Sequence, residues 1–320
     1  MRNNLSFTSK VKEEIVSNDY PSQDRLRALL SGYIRVNGTI LLRSKKTILI
    51  LKSENAKIAK FIYENLSKLF KLDINLLYSS KGNMKKTTYT ISIDDGASSL
   101  LEELDVSFLE GKVSKKMVYN DDTISGYLAG CFLSGGSINS PYTTNYHLEL
   151  ALNSENHAKW VAKLFARYKN SNIEPKVTKR REKYIVYFKK SDQIANFMIM
   201  TGAVVSCMEY ENIRVDRDFA NTANRLTNSD TANMKKTYET ASRQIEEIEL
   251  IEKKFGLKNI SNVKARELCY LRLNNETATL SDLANLLSEK INSQVSKSNI
   301  AHLFRYIHTL FLRLSKDDNQ

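Results

Sequence analysis

Two nine-residue segments of this chain repeat one another. The first is Leu30-Ser31-Gly32-Tyr33-Ile34-Arg35-Val36-Asn37-Gly38, and the second is Leu128-Ala129-Gly130-Cys131-Phe132-Leu133-Ser134-Gly135-Gly136. Each has small residues at its second and third positions, and Gly32 and Gly130 stand 98 residues apart. The two read as one helix written twice, and glycine on a helix lets a second backbone approach closely. A repeat of this period is an organising fact about the fold.

The residues downstream of each segment bear this out. After the first, Thr39–Arg43 and Thr47–Lys52 around Ser44-Lys45-Lys46 read as a β-hairpin. Ala56, Ile58, Ala59, Ile62, Leu66, Leu69 and Phe70 then recur at helical spacing, with Ser53 as the expected N-cap and Glu54 in the first turn. Strands 74–78 and 87–93 follow around Ser80-Lys81-Gly82-Asn83, and a short helix over 97–104 closes the unit. The second half repeats the order: helix 122–134, strand residues to Ile138, strand 146–152, and a helix capped by Ser154. Strands 176–178 and 184–188 come next, about the turn Lys179-Arg180-Arg181, and then a helix over 194–201. The expectation is an α+β fold of two pseudo-symmetric αββαββα halves, residues 1–118 and 119–219, each with a four-stranded sheet under helices.

The repeated segments resemble the LAGLIDADG signature of homing endonucleases. In that family the two helices pack at the centre of the molecule, and an acid at the eighth position holds a divalent cation for phosphodiester hydrolysis. Here that position is Asn37 in one copy and Gly135 in the other. Neither supplies the carboxylate oxygens that neutralise and position metal ions. The expectation is a scaffold with no catalytic residue and no metal. Asp24, Asp121 and Asp122 fall at the opposite helix ends and read as caps or first-turn acids. Glu149, on a predicted strand, is the one acid placed near the centre.

Charge points to a partner. The 320-residue chain carries a formal net charge of +12, which favours a polyanion, nucleic acid first. Much of the excess lies in residues 1–118, with 20 Lys/Arg against 13 Asp/Glu. Lys45-Lys46, Lys85-Lys86 and Lys179-Arg180-Arg181 sit at hairpin turns, where they read either as solvated lysines or as phosphate contacts. Cys131, Cys207 and Cys269 are widely spaced without a CxxC pair, so neither a disulfide framework nor a zinc site is expected, as suits a reducing cytosol. The four histidines have no ligand spacing, and no cofactor motif occurs. The most apolar stretch, 194–208, is too short to cross a bilayer. A cytoplasmic, nucleoid-associated protein without membrane contact is expected.

From residue 220 the pattern changes. A linker and helix are expected over 220–258, ending at Gly256, and an all-helical domain over 259–320. Thr279 with Asp282 reads as a capping box. After the polar connection Ile291–Val295, a second helix opens at Ser296-Lys297-Ser298 and carries Ile300, Leu303, Phe304, Ile307, Leu310 and Phe311. The pair reads as a helix-turn-helix. Upstream, the polar string 224–237 has two readings: a solvated linker with Asx turns, or a hinge contacting phosphate or a partner through Arg225 and Lys236.

Taken together, these residues resemble the WhiA family of sporulation and cell-division transcription regulators. The resemblance rests on Ser6-Phe7-Thr8-Ser9-Lys10-Val11-Lys12-Glu13-Glu14, both degenerate signature helices, and Gly135-Gly136-Ser137-Ile138-Asn139-Ser140-Pro141. It also rests on the Asn-Arg-x-x-Asn-x-Asp-Thr-Ala-Asn-x-x-Lys-Thr string at 224–237 and on Lys297-Ser298 with His302. Ser229 stands where the family usually has cysteine, and Asn299, Ala301 and Leu303 replace its usual Gly, Asn and Arg. The resemblance implies a bipartite regulator of double-stranded DNA, its helix-turn-helix similar to the promoter-reading region of sigma factors. Ser296, Lys297, Ser298, Asn299, His302 and Arg305 are the candidate DNA contacts. Arg225, Lys236, Lys179, Arg180 and Arg181 are candidate auxiliary contacts to DNA or a partner. Two alternatives stay open: a working endonuclease, and a scaffold that contacts RNA polymerase or another regulator.

Overall fold

The computed structural model describes residues 5–43, 46–80, 87–109, 111–169 and 172–316. They divide into two compact units, 1–217 and 218–320.

The first unit is organised about the repeated helices, α2 (Gln23–Asn37) and α5 (Asp121–Gly135). Both are buried along most of their length. They meet backbone to backbone: a Cβ placed on Gly130 would lie 2.0 Å from the Leu29 carbonyl oxygen, and one on Gly32 would lie 2.3 Å from that of Tyr127. Only hydrogen fits at such a crossing. Each helix starts on a polar cap. Ser22 accepts from the Arg25 amide, and Asn120 forms a capping box with Thr123.

Strands β1 (Thr39–Arg43), β2 (Lys46–Ser53), β3 (Asn75–Ser80) and β4 (Thr87–Ile93) form one antiparallel sheet in the order β1-β2-β4-β3. Strands β5 (Gly136–Ile138), β6 (Leu148–Leu152), β7 (Lys176–Arg180) and β8 (Lys183–Phe188) form a second in the order β5-β6-β8-β7. The same topology in both sheets is the duplication expected from the spacing of the signature segments. Helices α3 (Ala56–Phe70) and α4 (Ala97–Glu103) pack on the first sheet. Helix α6 (Glu155–Arg167) packs on the second, while α7 (Ser191–Thr201) lies against α5.

Several local expectations shift. The N-cap of α3 is Asn55, whose side-chain oxygen accepts from the Lys57 and Ile58 amides at 2.9 and 3.2 Å. Ser53 instead ends β2 and bonds to the main chain of Asn55, so Glu54 precedes the helix. Lys179 and Arg180 belong to β7, and only Arg181 occupies the turn, with φ 55°. Lys45, Lys85, Lys86 and the turn residues 81–83 lie outside the described residues.

The N-terminal helix α1 (Phe7–Ser17) buries Phe7, Val11 and Ile15 and ties the unit together. Thr8 donates to the Ile138 carbonyl at 2.8 Å and accepts from the Ile138 amide at 3.0 Å. The Glu14 carboxylate accepts from the Val205 and Ser206 amides at 2.6 and 2.8 Å. There it satisfies the free donors that open α8 (Val204–Lys254).

Helix α8 runs for 51 residues and includes the polar string 224–237 that reads from sequence as a turn-rich linker or a hinge. The stretch 204–254 has neither proline nor glycine, so nothing in it terminates a helix. Its Asn and Asp side chains face solvent; every residue from 218 to 236 is exposed. Gly256 (φ 79°) ends the helix, its amide donating to the carbonyls of Ile251 and Glu252.

The second unit packs Ile248 and Ile251 of α8 against helices α9 (Val263–Asn274), α10 (Leu280–Lys290) and α11 (Lys297–Lys316). Leu268, Leu283, Leu287, Ile300 and Ile307 fill its core. Thr279 and Asp282 form the capping box of α10. The connection to α11 passes through Asn292 (φ 46°) and is braced by Ser288, whose hydroxyl accepts from the Val295 amide at 2.9 Å. Among the described residues no helix is long and apolar enough to cross a membrane.

One buried group in the first unit has a measurable consequence. Nε2 of His157, which is 2% exposed, lies 2.8 Å from the Tyr127 hydroxyl. Burial, and then the Arg35 charge, push its imidazole down to about 3. In the unfolded chain histidine takes up its proton near pH 6.5. The unfolded state therefore binds the extra proton between those values. This contribution to stability is intact above pH 6.5 and declines as pH falls towards 3, by about 1.4 kcal/mol per pH unit. Denaturant midpoints at pH 7 and pH 5 are expected to differ more for the native chain than for His157→Gln; equal differences would refute the assignment.

Candidate nucleic-acid interface

Helix α11 has one face in the core and one in solvent. Ile300, Phe304 and Ile307 are buried. Ser298, His302 and Arg305, separated by four and three residues, share the opposite face, and all three are exposed. Asn299 is exposed on one flank and Lys297 on the other, with Ser296 as the N-cap that accepts from the Asn299 amide at 3.2 Å. The sequence candidates thus divide into an outward row and two flanks. The outward row can offer a hydroxyl, an imidazole and a guanidinium to base edges.

The auxiliary candidates separate. Arg225 is exposed on α8. Lys236 lines a pocket with Lys297, although they stand 61 positions apart in the chain. Thr240 and Arg272 join the same pocket and carry no motif that would have singled them out.

Arg180 is engaged with Glu149, on the sheet face turned away from the helices. His147 Nε2 lies 2.9 Å from the other Glu149 oxygen. Burial works to raise the Glu149 carboxyl, but hydrogen bonds from Arg180 and His147 and the Arg180 charge outweigh it and hold the group below the usual carboxylate range. Glu149 is thus a structural counter-ion at its own sheet. Lys179 lies over the Tyr184 ring, 5.8 Å from its centroid, and Arg181 is exposed. Lys46 pairs with Asp95 at 2.8 Å.

At the helix ends where the signature acids would sit, both residues are fitted to the neighbouring main chain. Asn37 donates to the Lys52 carbonyl at 2.9 Å and accepts from the Lys52 amide at 2.8 Å. Aspartate could accept but not donate there. A Cβ on Gly135 would lie 2.4 Å from the Ala151 carbonyl oxygen. Among the described residues no group of three His, Cys, Asp or Glu is arranged to hold a metal ion.

Comparison with known proteins agrees with this architecture. Family models match in three consecutive parts: the WhiA N-terminal LAGLIDADG-like domain at 23–107, the WhiA LAGLIDADG-like domain at 124–220, and the WhiA C-terminal HTH domain at 223–311. A probable cell division protein WhiA of Clostridium tetani (strain Massachusetts / E88) is 33% identical over 326 residues, covering 98% of this chain and 100% of its own. Its counterpart from Staphylococcus carnosus (strain TM300) is 32% identical, with 96% of each chain covered. The crystal structure of full-length WhiA from Thermatoga maritima superposes with a TM-score of 0.59 at 24% identity, over 97% of this chain and 99% of that one. With both halves of the repeat and the helical unit matched in order along nearly its whole length, the chain belongs to the WhiA family.

Proposed function

We propose that the protein is a DNA-binding transcriptional regulator, without catalysis, that acts in the cytoplasm at the nucleoid on genes of cell division or sporulation type. The outward row Ser298, His302 and Arg305 carries this reading, because it presents three polar side chains on the solvent face of the second helix of a helix-turn-helix. Lys297 and Asn299 flank that row, and the first unit acts as a scaffold.

The geometry at Asn37 and Gly135 supports the absence of cleavage. The test is incubation of the full chain with genomic DNA fragments and Mg²⁺, with binding read by anisotropy and the products run on a gel. Specific binding with intact DNA is the expected result; cut DNA would defeat the reading. The variant Asn37→Asp/Gly135→Asp is also expected to leave DNA intact. It should lose at least about 2 kcal/mol of stability, through one lost side-chain donor to the Lys52 carbonyl and one collision.

A second reading, compatible with the first, rests on the first sheet. Its register puts Leu41, Ile48, Ile50 and Leu77 on the face turned from the helices, with Arg43 and Lys52 beside them. Leu41 is 48% exposed and Leu77 is 64% exposed. An apolar strip of this kind suits a protein surface better than a phosphate backbone, which favours contact with RNA polymerase or another regulator. Purified polymerase captured equally by the native chain and by Leu41→Asp/Leu77→Asp would count against it.

A further inference from the structure

A pocket of about 200 Å³ in the second unit is lined by Lys236, Thr237, Thr240, Arg272, Leu280 and Lys297. Three of the six are cations and two carry hydroxyls. The residues arrive from four elements: the end of the polar string on α8, the body of α9, and the first residues of α10 and α11. The opening turns of α10 and α11 leave main-chain amides without helical partners, and these attract negative charge. The Asp282 carboxylate is turned back onto Thr279, bonding its amide at 2.9 Å and its hydroxyl at 2.7 Å.

Arg272 is the independent sign of a ligand. It is 1% exposed, its charge is met by the carbonyls of Asn275, Glu276 and Ala278 and by the Phe304 ring, and Nε has no partner. Among the described residues no carboxylate pairs with it, nor with Lys236 or Lys297. A buried guanidinium without a counter-anion is costly, and an anion in the pocket would relieve that cost.

We propose that this pocket is a phosphoryl-binding seat. In its DNA form the inference rests on the reading of α11 as the base-reading helix: a backbone phosphate held here, on the flank that Lys297 occupies, would set the register of Ser298, His302 and Arg305 on the bases. The end of the 224–237 string then has a role, since Lys236 and Thr237 complete the seat from α8. The same seat would accept the phosphoryl group of a small molecule, and the experiment separates the two sources.

The experiment uses the full chain and Lys236→Ala, with Lys235→Ala as control because Lys235 lies 3.9 Å from Glu239 instead. Two readouts are taken: the salt dependence of DNA binding, and amide shifts of Thr237 and Lys297 on addition of inorganic phosphate against chloride at equal ionic strength. If the native chain binds DNA, Lys236→Ala should lower the slope of log K against log salt by about one. It should weaken specific and non-specific DNA by the same factor, on the order of ten. An unchanged slope overturns the seat as a DNA contact. If the native chain binds no DNA, the reading of α11 has failed and the phosphate arm decides. Shifts abolished by Lys236→Ala would establish a seat for a free phosphoryl ligand; no shift would overturn the proposal altogether.

Discussion

Gly130→Ala is expected to destabilise the first unit by about 3–5 kcal/mol, the upper range for a single overpacked core position. The added methyl would lie 2.0 Å from the Leu29 carbonyl oxygen and 2.7 Å from the Tyr33 nitrogen. Both are main-chain atoms of α2, so no rotamer change can make room. Relief requires α2 and α5 to move apart, which opens gaps beside Leu29, Tyr33, Leu128 and Phe132, all at most 1% exposed. Gly32→Ala should act in the same way against Tyr127. At about 2–4 °C per kcal/mol for a unit of this size, the melting temperature should fall by about 6–20 °C. Calorimetry of the full chain checks this, and a transition within a degree or two of the native one would mean that the helices are not in backbone contact. A matched pair such as Leu29→Ala/Gly130→Ala should gain nothing, because the obstruction is the carbonyl and not the leucine side chain.

The second large effect concerns the outward row of α11. Ser298→Ala/His302→Ala/Arg305→Ala should reduce specific DNA binding by at least about 100-fold, taking roughly 1–3 kcal/mol for each lost base contact. These side chains touch little of the core; Arg305 Nε reaches only the Ala301 carbonyl of its own helix, at 3.4 Å. The unfolding transition should therefore stay put, and non-specific binding should survive in part because Lys297 and Lys236 remain. That combination separates base reading from a structural defect. Specific affinity kept within three-fold would place the base-reading surface elsewhere.

Legibility followed the range of the signal. The repeat was readable because paired glycines, strand alternation and helical spacing are local patterns, and two copies reinforced each other. Caps were readable where one residue held the position, as at Thr279, and not where two competed. Asn55 takes the amides of Lys57 and Ile58, while Ser53 stays with its strand. The polar string misled because Asn and Asp favour turns in isolation; here a stretch free of proline and glycine carries them as exposed helix positions. The engagement of Arg180 with Glu149 depends on the pairing of β6 with β8 and of β8 with β7, which no spacing in the chain announces. The pocket was hidden for the same reason, since Arg272 stands outside every motif and Lys236 meets Lys297 only through tertiary packing.

The residues at the two signature-acid positions also bear on which substitutions the fold admits. In the genetic code, asparagine and glycine each lie within a base change or two of aspartate, so mutation offers an acid at either position repeatedly. The fold disfavours both, one because the Lys52 carbonyl accepts from the Asn37 side-chain amide and the other because the Ala151 carbonyl occupies the space. An acid at either position is thus opposed by main-chain geometry rather than by the rarity of the mutation.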